Sequence, residues 1–355
     1  MALTVRGRIM AALGATIVLG ALVLVVLVVG GRAGLGPLAD IGSGDDNLGK
    51  SGPPVGQVPT HCPLTGLKPD EGVPNRPALA VKVENLPSAR PQTGLSWADI
   101  VYEEPVEVRI TRFIAIYQCQ DASRIEPVRS ARMTDPEILV QYGTPLLGYS
   151  GGVRSVVQEI RAAGIVDLSE GVVPQAYHRD PEREAPHDLY SSTQELYAAA
   201  GSPLGVPQPV LSYSERAMPG GRPVSEVFIP FSSYSDVSWR WSSAERSWIR
   251  YDSGEVHALS DGSPIASKNV IIQVVDEVLT DIVDVRGARS PKIVSTGSGV
   301  AYILRGGKLY TGTWQREGLA QITTFRSGGR EVQLAPGNTW IELVPNDISV
   351  TSTPA

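Results

Sequence analysis

The sequence predicts an α+β protein, in which an N-terminal mixed α/β domain precedes a smaller, mostly antiparallel β domain. In the first part of the chain, β-type runs are interleaved with helix candidates that carry capping residues. In the second part, short β-type runs alternate with turn signals. The 37 glycines and 28 prolines favour many turns and few long helices.

An apolar segment precedes both predicted domains. The chain has no charged side chain between Arg8 and Arg32. A helix over residues 9–31, rising about 1.5 Å per residue, is long enough to cross the roughly 30 Å hydrocarbon core of a bilayer. Arg6 and Arg8 precede this run and favour a cytoplasmic tail over residues 1–8, with the remaining chain outside the cytoplasm. A cleaved signal peptide is the alternative, although its apolar core usually spans only about 7 to 15 residues.

Composition sets the remaining boundaries. Residues 32–60 are rich in Gly, Pro, Asp and Ser and are predicted to form a flexible linker. The first domain is predicted over residues 61–205 and the second over 223–347. Residues 206–222 form the linker between them, and residues 348–355 form a tail.

The elements of the first domain are predicted from local signals. Three strands are indicated by β-branched and aromatic runs: Pro77–Val83, Ile100–Glu104 and Ile110–Tyr117. Three helices are indicated by caps and terminal glycines: Asp135–Gln141 after Thr134, Val153–Gly164, and Ser192–Ala200.

The second domain is predicted to be a set of short strands from Val224 onward. Gly306-Gly307 between two alternating runs is a hairpin signal. Its tryptophans fit either half-buried packing, which we favour, or a glycan-facing surface: Trp239, Trp241, Trp248, Trp314 and Trp340.

Charge and motif content exclude several classes of function. A net charge of −6 and a pI near 5.4 give no basic face for nucleic acid. The sequence lacks a P-loop, an HExxH motif, the kinase motif set and a dinucleotide fingerprint. We therefore predict no cofactor and assign no catalytic residue.

The chain has two cysteines, Cys62 and Cys119. In an oxidising exterior a lone pair is most simply a disulfide. Two buried thiols or a metal pair are the alternatives. A metal pair is disfavoured because His61 is the only nearby histidine and the cysteines lack CxxC spacing.

Several separated motifs occur in an order that resembles the YerB-like family of bacterial cell-surface proteins. They include RPALAVKVENLPSARPQTG, EPVRSARMTDPE, APHDLYSS, GSGVAYILRGGKLYTGTWQRE and LAPGNTWIELVP. The resemblance covers the chain from about Cys62 to Pro345 and implies a lipoprotein-like surface protein with two domains of unknown function. The chain departs from the lipoprotein pattern because it has an apolar helix instead of an acylated cysteine, which predicts a single-pass protein of the bacterial cell membrane. It also has Arg109 where the resemblance implies a small residue.

Three arginines indicate a site for an anion. Arg112 lies in a predicted strand, and Arg129 and Arg132 precede a predicted helix start. Guanidinium groups bind carboxylate or phosphate through paired donors, and helix N-termini also favour anions. The alternative is that these arginines form structural ion pairs with nearby acids: Glu103, Glu104 and Glu107.

Glu104 and His187 complete the predicted anion site. Glu103 and Glu104 are adjacent, so on a strand they face opposite sides and only one can lie with the arginines. His187 lies near Asp188 and several serines, but adjacency in sequence does not make a catalytic triad. Its imidazole is equally suited to donate to a loop carbonyl or to bind the same anion as the arginines.

The function predicted from these features is that of an extracytoplasmic, membrane-anchored protein that binds an anionic cell-wall or lipid-linked ligand. Two alternatives stay open. One is an enzyme acting on envelope polymers, a phosphotransferase or hydrolase. The other is a purely structural assembly protein, whose arginines only form ion pairs.

Overall fold

β-strands make up most of the regular structure in the computed structural model, which describes residues 59–201, 205–233, 235–284 and 287–355. The described residues belong to one compact unit. The predicted cytoplasmic tail (1–8), the predicted membrane helix (9–31) and nearly all of the predicted N-terminal linker lie outside them. Within these ranges, no helix is both long enough and apolar enough to span a membrane.

The described part of the chain contains twenty strands and three α-helices. The elements before residue 205 are β1 (Leu79–Glu84), β2 (Ile100–Pro105), β3 (Thr111–Tyr117), α1 (Thr134–Leu139), β4 (Leu146–Tyr149), α2 (Arg154–Ala162), β5 (Val166–Ser169), β6 (His178–Arg179), β7 (Leu189–Tyr190) and α3 (Thr193–Ala199).

The elements that follow are all strands. They are β8 (Arg222–Ser232), β9 (Ser235–Ser242), β10 (Ser247–Asp252), β11 (Glu255–Val256), β12 (Ala266–Ser267), β13 (Asn269–Val283), β14 (Arg289–Val294), β15 (Gly297–Arg305), β16 (Lys308–Arg316), β17 (Thr324–Ser327), β18 (Arg330–Glu331), β19 (Thr339–Pro345) and β20 (Thr351–Pro354).

Eighteen strands belong to one hydrogen-bonded sheet, and β6 and β7 pair with each other. Strand pairing gives a main order of β5-β4-β1-β3-β2-β19-β13-β15-β16-β17-β18. β1, β4 and β5 are parallel to one another, and β19 lies between β2 and β13, parallel to both. An antiparallel branch, β20-β8-β9-β10, joins at β16 through β8.

The prediction of an α+β fold with a separate mixed α/β domain is wrong, because the protein is mostly β. The predicted strands and helices of the first part exist, but the helices are only six to nine residues long. Its strands also continue directly into those of the second part through the β2–β19 pairing. Local signals identified the elements, but they contain no information about this long-range pairing.

Local predictions elsewhere are largely confirmed. Ser192 caps α3, accepting a hydrogen bond from the Glu195 N–H at 3.1 Å. Thr134 is not a cap, because it lies inside α1 and accepts a hydrogen bond from the Ile293 N–H. Gly306 and Gly307 have positive φ and join β15 to β16, as a two-residue hairpin requires.

The predicted packing role of the tryptophans is confirmed. Four of them are buried: Trp239, Trp248, Trp314 and Trp340. Trp241 is partly buried and packs against the core cluster that contains Trp239, Trp248 and Trp340. An exposed glycan-binding row is therefore not formed by these side chains.

Strands β1, β2 and β3 are buried along their whole length. Their alternate apolar side chains enter two different core clusters, such as Val81 on one side and Ala80 on the other. Charged residues on these strands are therefore buried as well, and they need partners within the protein.

Candidate functional site

One edge of the sheet collects charged side chains at strand ends. β1 and β2 both run antiparallel to β3, so the carboxyl ends of β1 and β2 lie at the edge where β3 begins. Arg112 of β3 is opposite Glu84 of β1 on one side and Glu104 of β2 on the other. Side chains at paired positions share a face of the sheet, so these three residues form a row.

Behind this row, a buried lysine links two carboxylates. Lys82 donates to Glu104 and to Asp135 at the start of α1, the second at 2.8 Å, and all three side chains are fully buried. Burial raises the pKa of Glu104 to about 7, although the Lys82 ammonium acts in the opposite direction. This trio fixes α1 against the sheet.

Arg112 has the least complete set of partners among these cations. Its side chain is only 5% exposed, and its Nη1 donates to the Ser130 carbonyl at 2.9 Å. Among the described residues no carboxylate lies within 4.0 Å of its guanidinium. Burial, and then the nearby charges of Arg132 and Arg129, lower the pKa of Arg112 to about 10, although Glu84 and Glu107 act in the opposite direction.

Arg129 and Arg132 lie beside Arg112, and each is near one acid. Arg129 Nε is 3.0 Å from Glu84 Oε2, and Arg132 Nη2 donates to Glu107 Oε2 at 2.7 Å. Their side chains stay 25% and 17% exposed. Of the acids in the ion-pair alternative, only Glu107 pairs with one of these arginines.

His187 reaches the same row from the loop before β7. Its Nδ1 is 2.8 Å from Glu84 Oε2, and its Nε2 is 3.2 Å from the Ser88 hydroxyl. Its neighbours in sequence do not join it. Asp188 instead binds Arg179, and Ser192 caps α3. His187 therefore lies within hydrogen-bond distance of Ser88, and not of the serines that follow it in the sequence.

The opposite face of β2 carries a separate buried network. Glu103 binds Arg250 through both carboxylate oxygens, at 2.8 and 3.0 Å, and both side chains are fully buried. Burial raises the pKa of nearby Glu342 well above its ordinary value. Glu103 and Glu104 therefore face opposite sides, as their adjacency predicts.

Sequence reasoning missed Lys82, Glu84 and Ser88. Lys82 and Glu84 alternate along an otherwise apolar strand, so the two-residue period could have placed them on one face. Ser88 lies in an exposed turn and has no comparable signal. No cluster of three or more His, Cys, Asp or Glu side chains suited to a metal ion occurs in the part of the chain that the structure covers.

Two other sequence features are placed by the structure. Cys62 and Cys119 form the predicted disulfide, with Cα atoms 6.0 Å apart. Arg109, where the family resemblance implies a small residue, has a φ of 56° and forms ion pairs with Glu277 and Asp347. It ties the β2–β3 turn to β13 and to the end of the chain.

Comparisons with known proteins agree with this fold. Residues 64–203 match the "Protein of unknown function (DUF3048) N-terminal domain", and residues 227–341 match the corresponding C-terminal domain. The chain is 29% identical over 297 residues to "Putative lipoprotein YerB" of Bacillus subtilis (strain 168), covering 80% of this chain and 86% of the relative.

A solved structure shares the architecture. The crystal structure of the YerB protein from Bacillus subtilis superposes with a TM-score of 0.71 at 25% identity, covering 82% of this chain and 99% of that chain. Both domains of the family match this chain in order, a relative matches most of its length, and a solved structure has the same fold. This chain therefore belongs to the YerB-like family.

Proposed function

We propose that this protein binds an anionic cell-envelope ligand at the carboxyl edge of β1 and β2. The ligand would contact Arg112, Arg129 and Arg132, with His187 and Glu104 at the border of the site. A phosphate or carboxylate group of a cell-wall polymer or a lipid-linked precursor has the chemistry that such a cluster recognises.

The observation that carries this proposal is the environment of Arg112. Burial makes the charge of Arg112 costly, and two further guanidinium groups increase this cost. Glu84 and Glu107 offset only part of it, and neither forms an ion pair with Arg112. An anion placed between the three arginines would remove much of it. The partial exposure of Arg129 and Arg132 leaves the cluster open to a ligand.

The neighbouring backbone also suits an anion. The Ala131 N–H donates to the Gly151 carbonyl at 3.1 Å, which brings the loop before α2 against the arginine segment. A Cβ on Gly151 would lie 3.0 Å from the Ser130 hydroxyl, so only glycine allows this approach without a shift. The nine-residue helix α2 begins just after this loop and has no side-chain cap. The N–H groups of its first turn therefore have no side-chain acceptor.

Arg112→Met tests the proposal in the full chain, solubilised in detergent, with inorganic pyrophosphate as the probe. Pyrophosphate should stabilise the wild-type protein against urea, and this gain should disappear in the variant. Without pyrophosphate the variant should be as stable as wild type, or more stable by about 1 kcal/mol, because a buried charge that Glu84 and Glu107 offset only in part is gone.

Arg161→Met is the matched control, because Arg161 forms an exposed ion pair with Asp167 away from the cluster. It should retain the pyrophosphate effect. If Arg112→Met instead lost stability and kept the full response to pyrophosphate, the arginine would be structural and the proposal would fail.

We further propose that residues 9–31 hold the protein in the bacterial cell membrane with its folded part outside the cytoplasm. The charge-free apolar run supports a spanning helix, and the Bacillus subtilis relative is named as a lipoprotein, which supports attachment to a membrane. A C-terminal alkaline phosphatase fusion should be active, and carbonate washing should release the chain only when 9–31 is deleted. A fusion active only as a cytosolic reporter would contradict this topology.

A further inference from the structure

A serine, a histidine and a glutamate form a hydrogen-bonded series next to the arginine cluster. The Ser88 hydroxyl is 3.2 Å from His187 Nε2, and His187 Nδ1 is 2.8 Å from Glu84 Oε2. Burial increases along the series, from an exposed serine to a part-buried histidine and a fully buried glutamate. The three residues come from the turn after β1, the loop before β7 and the end of β1.

We propose that this series is a catalytic site in which Ser88 attacks carboxylic esters. A Glu84 carboxylate that accepts from Nδ1–H fixes the histidine tautomer and leaves Nε2 free to accept the serine proton. An exposed nucleophile, a positioned base and a buried orienting acid are the geometric roles by which such sites are recognised on unrelated folds.

The reaction balances with water as the co-reactant. Ser88 Oγ forms a bond to the ester carbonyl carbon while His187 Nε2 takes the hydroxyl proton. The ester C–O bond then breaks, and His187 returns that proton to the leaving alcohol. Water adds to the acyl-serine with the same base, and the acid leaves as Ser88 is restored.

The two segments that meet here are held together independently of the triad. The turn at Ser88 is closed by the Ala89 N–H, which donates to the Leu86 carbonyl at 2.9 Å. Arg183 Nη1 donates to the Ala89 carbonyl at 3.1 Å and reaches the His187 carbonyl at 3.5 Å. One guanidinium therefore bridges the serine turn and the histidine loop, which preorganises the contact between their side chains.

Arg129 provides a cation beside the triad. It lies against the same Glu84 oxygen as His187, at 3.0 Å. This ion pair helps to hold the carboxylate that orients His187. A preference for esters that carry an anionic group rests on the proposed function, whereas the nucleophile itself does not.

Labelling of the full chain in detergent with a fluorophosphonate probe tests the nucleophile. Ser88 Oγ should displace fluoride, and the adduct should be located on Ser88 by tandem mass spectrometry. Ser88→Ala should abolish this adduct, and His187→Asn should slow its formation about a hundredfold, the contribution of a positioned general base. Ser155→Ala, which removes an exposed serine at α2, should label at the wild-type rate.

The rate of p-nitrophenyl acetate hydrolysis should rank the proteins in the same way. Wild type and Ser155→Ala should be fastest, His187→Asn slower, and Ser88→Ala inactive. Labelling that is no faster in the wild type than in His187→Asn, or an adduct on another serine, would overturn the proposal. Ser88→Ala changes an exposed turn, so near-ultraviolet circular dichroism should match the wild type.

The two proposals fail separately. Loss of the pyrophosphate response in Arg112→Met with normal Ser88 labelling supports both. A wild-type protein that labels at Ser88 without any response to pyrophosphate overturns anion binding alone. A pyrophosphate response without Ser88 labelling overturns the nucleophile alone.

Discussion

Adjacent carboxylates on β2 have separate partners because consecutive strand residues face opposite sides. Glu103 binds Arg250 on one face, and Glu104 binds Lys82 on the other. Each face is buried, so each carboxylate requires a cation.

Glu103→Gln should destabilise the protein strongly, because it leaves the fully buried Arg250 without its bidentate partner. The expected loss is about 3 to 5 kcal/mol in the free energy of unfolding, measured by urea denaturation. Glu226→Gln removes the partner of Arg240 in a more exposed pair and should cost less than about 1 kcal/mol. Equal losses in the two variants would show that burial does not govern the effect.

Asp99 should make the free energy of unfolding fall as the pH rises, which is opposite to the effect of an ion-paired carboxylate. Burial raises the pKa of Asp99 from 3.8 to about 6 in the folded protein, so between those values the folded state holds a proton that the unfolded state has lost. This contribution is full below pH 3.8 and is lost as the pH rises through about 6.

Asp99→Asn removes that contribution. The free energy of unfolding, measured by urea between pH 4 and 6, should fall with pH in wild type relative to the variant, by at most about 1.4 kcal/mol per pH unit. Parallel pH profiles for the two proteins would mean that Asp99 titrates normally in the folded state.

At the residue scale, the sequence was informative where strand alternation applies. It placed Glu103 and Glu104 on opposite faces, and it identified the disulfide from cysteine number. It could not place Ser88 against His187, because that contact depends on two turns far apart in the chain.

Among the elements, α3 has the most complete terminal hydrogen bonding. Ser192 accepts from the Glu195 N–H and donates to the Glu195 carboxylate at 2.8 Å. The first bond satisfies one backbone donor that the first turn of a helix leaves free, and the second, between the two side chains, holds the hydroxyl in place.

Ser192→Ala should therefore destabilise the protein by about 1 kcal/mol in urea denaturation. Ser155→Ala, near the start of α2, should change stability by less than about 0.5 kcal/mol, because α2 has no side-chain cap. A larger loss at Ser155 would contradict this assignment of the caps.

The elements were predictable because their signals are local. β1, β2, β3 and all three helices fall within a few residues of the predicted ranges. The fold class could not be predicted from such local signals. Interleaved strands and helices suggested an α/β layer, but short helices and the insertion of β19 beside β2 produce one large sheet.

Across the whole molecule, the Cys62–Cys119 disulfide closes a long loop that contains β1, β2 and β3, with a sequence separation of 57. By the chain-entropy relation, a loop of this size contributes about 4 kcal/mol. Dithiothreitol should lower the urea midpoint of the wild type accordingly. The Cys62→Ser/Cys119→Ser double variant should already have the lower midpoint and should not respond to the reductant. A wild-type midpoint that is insensitive to full reduction would contradict this.

Placing β19 beside β2 has a consequence for synthesis of the chain. Pro105 ends β2 and Thr339 begins its partner, so the ribosome must add more than two hundred residues before that edge can close. At bacterial elongation rates this delay is about 10 to 50 seconds. During this time the nascent chain carries an unprotected strand edge, which makes it a client for any chaperone that shields such edges.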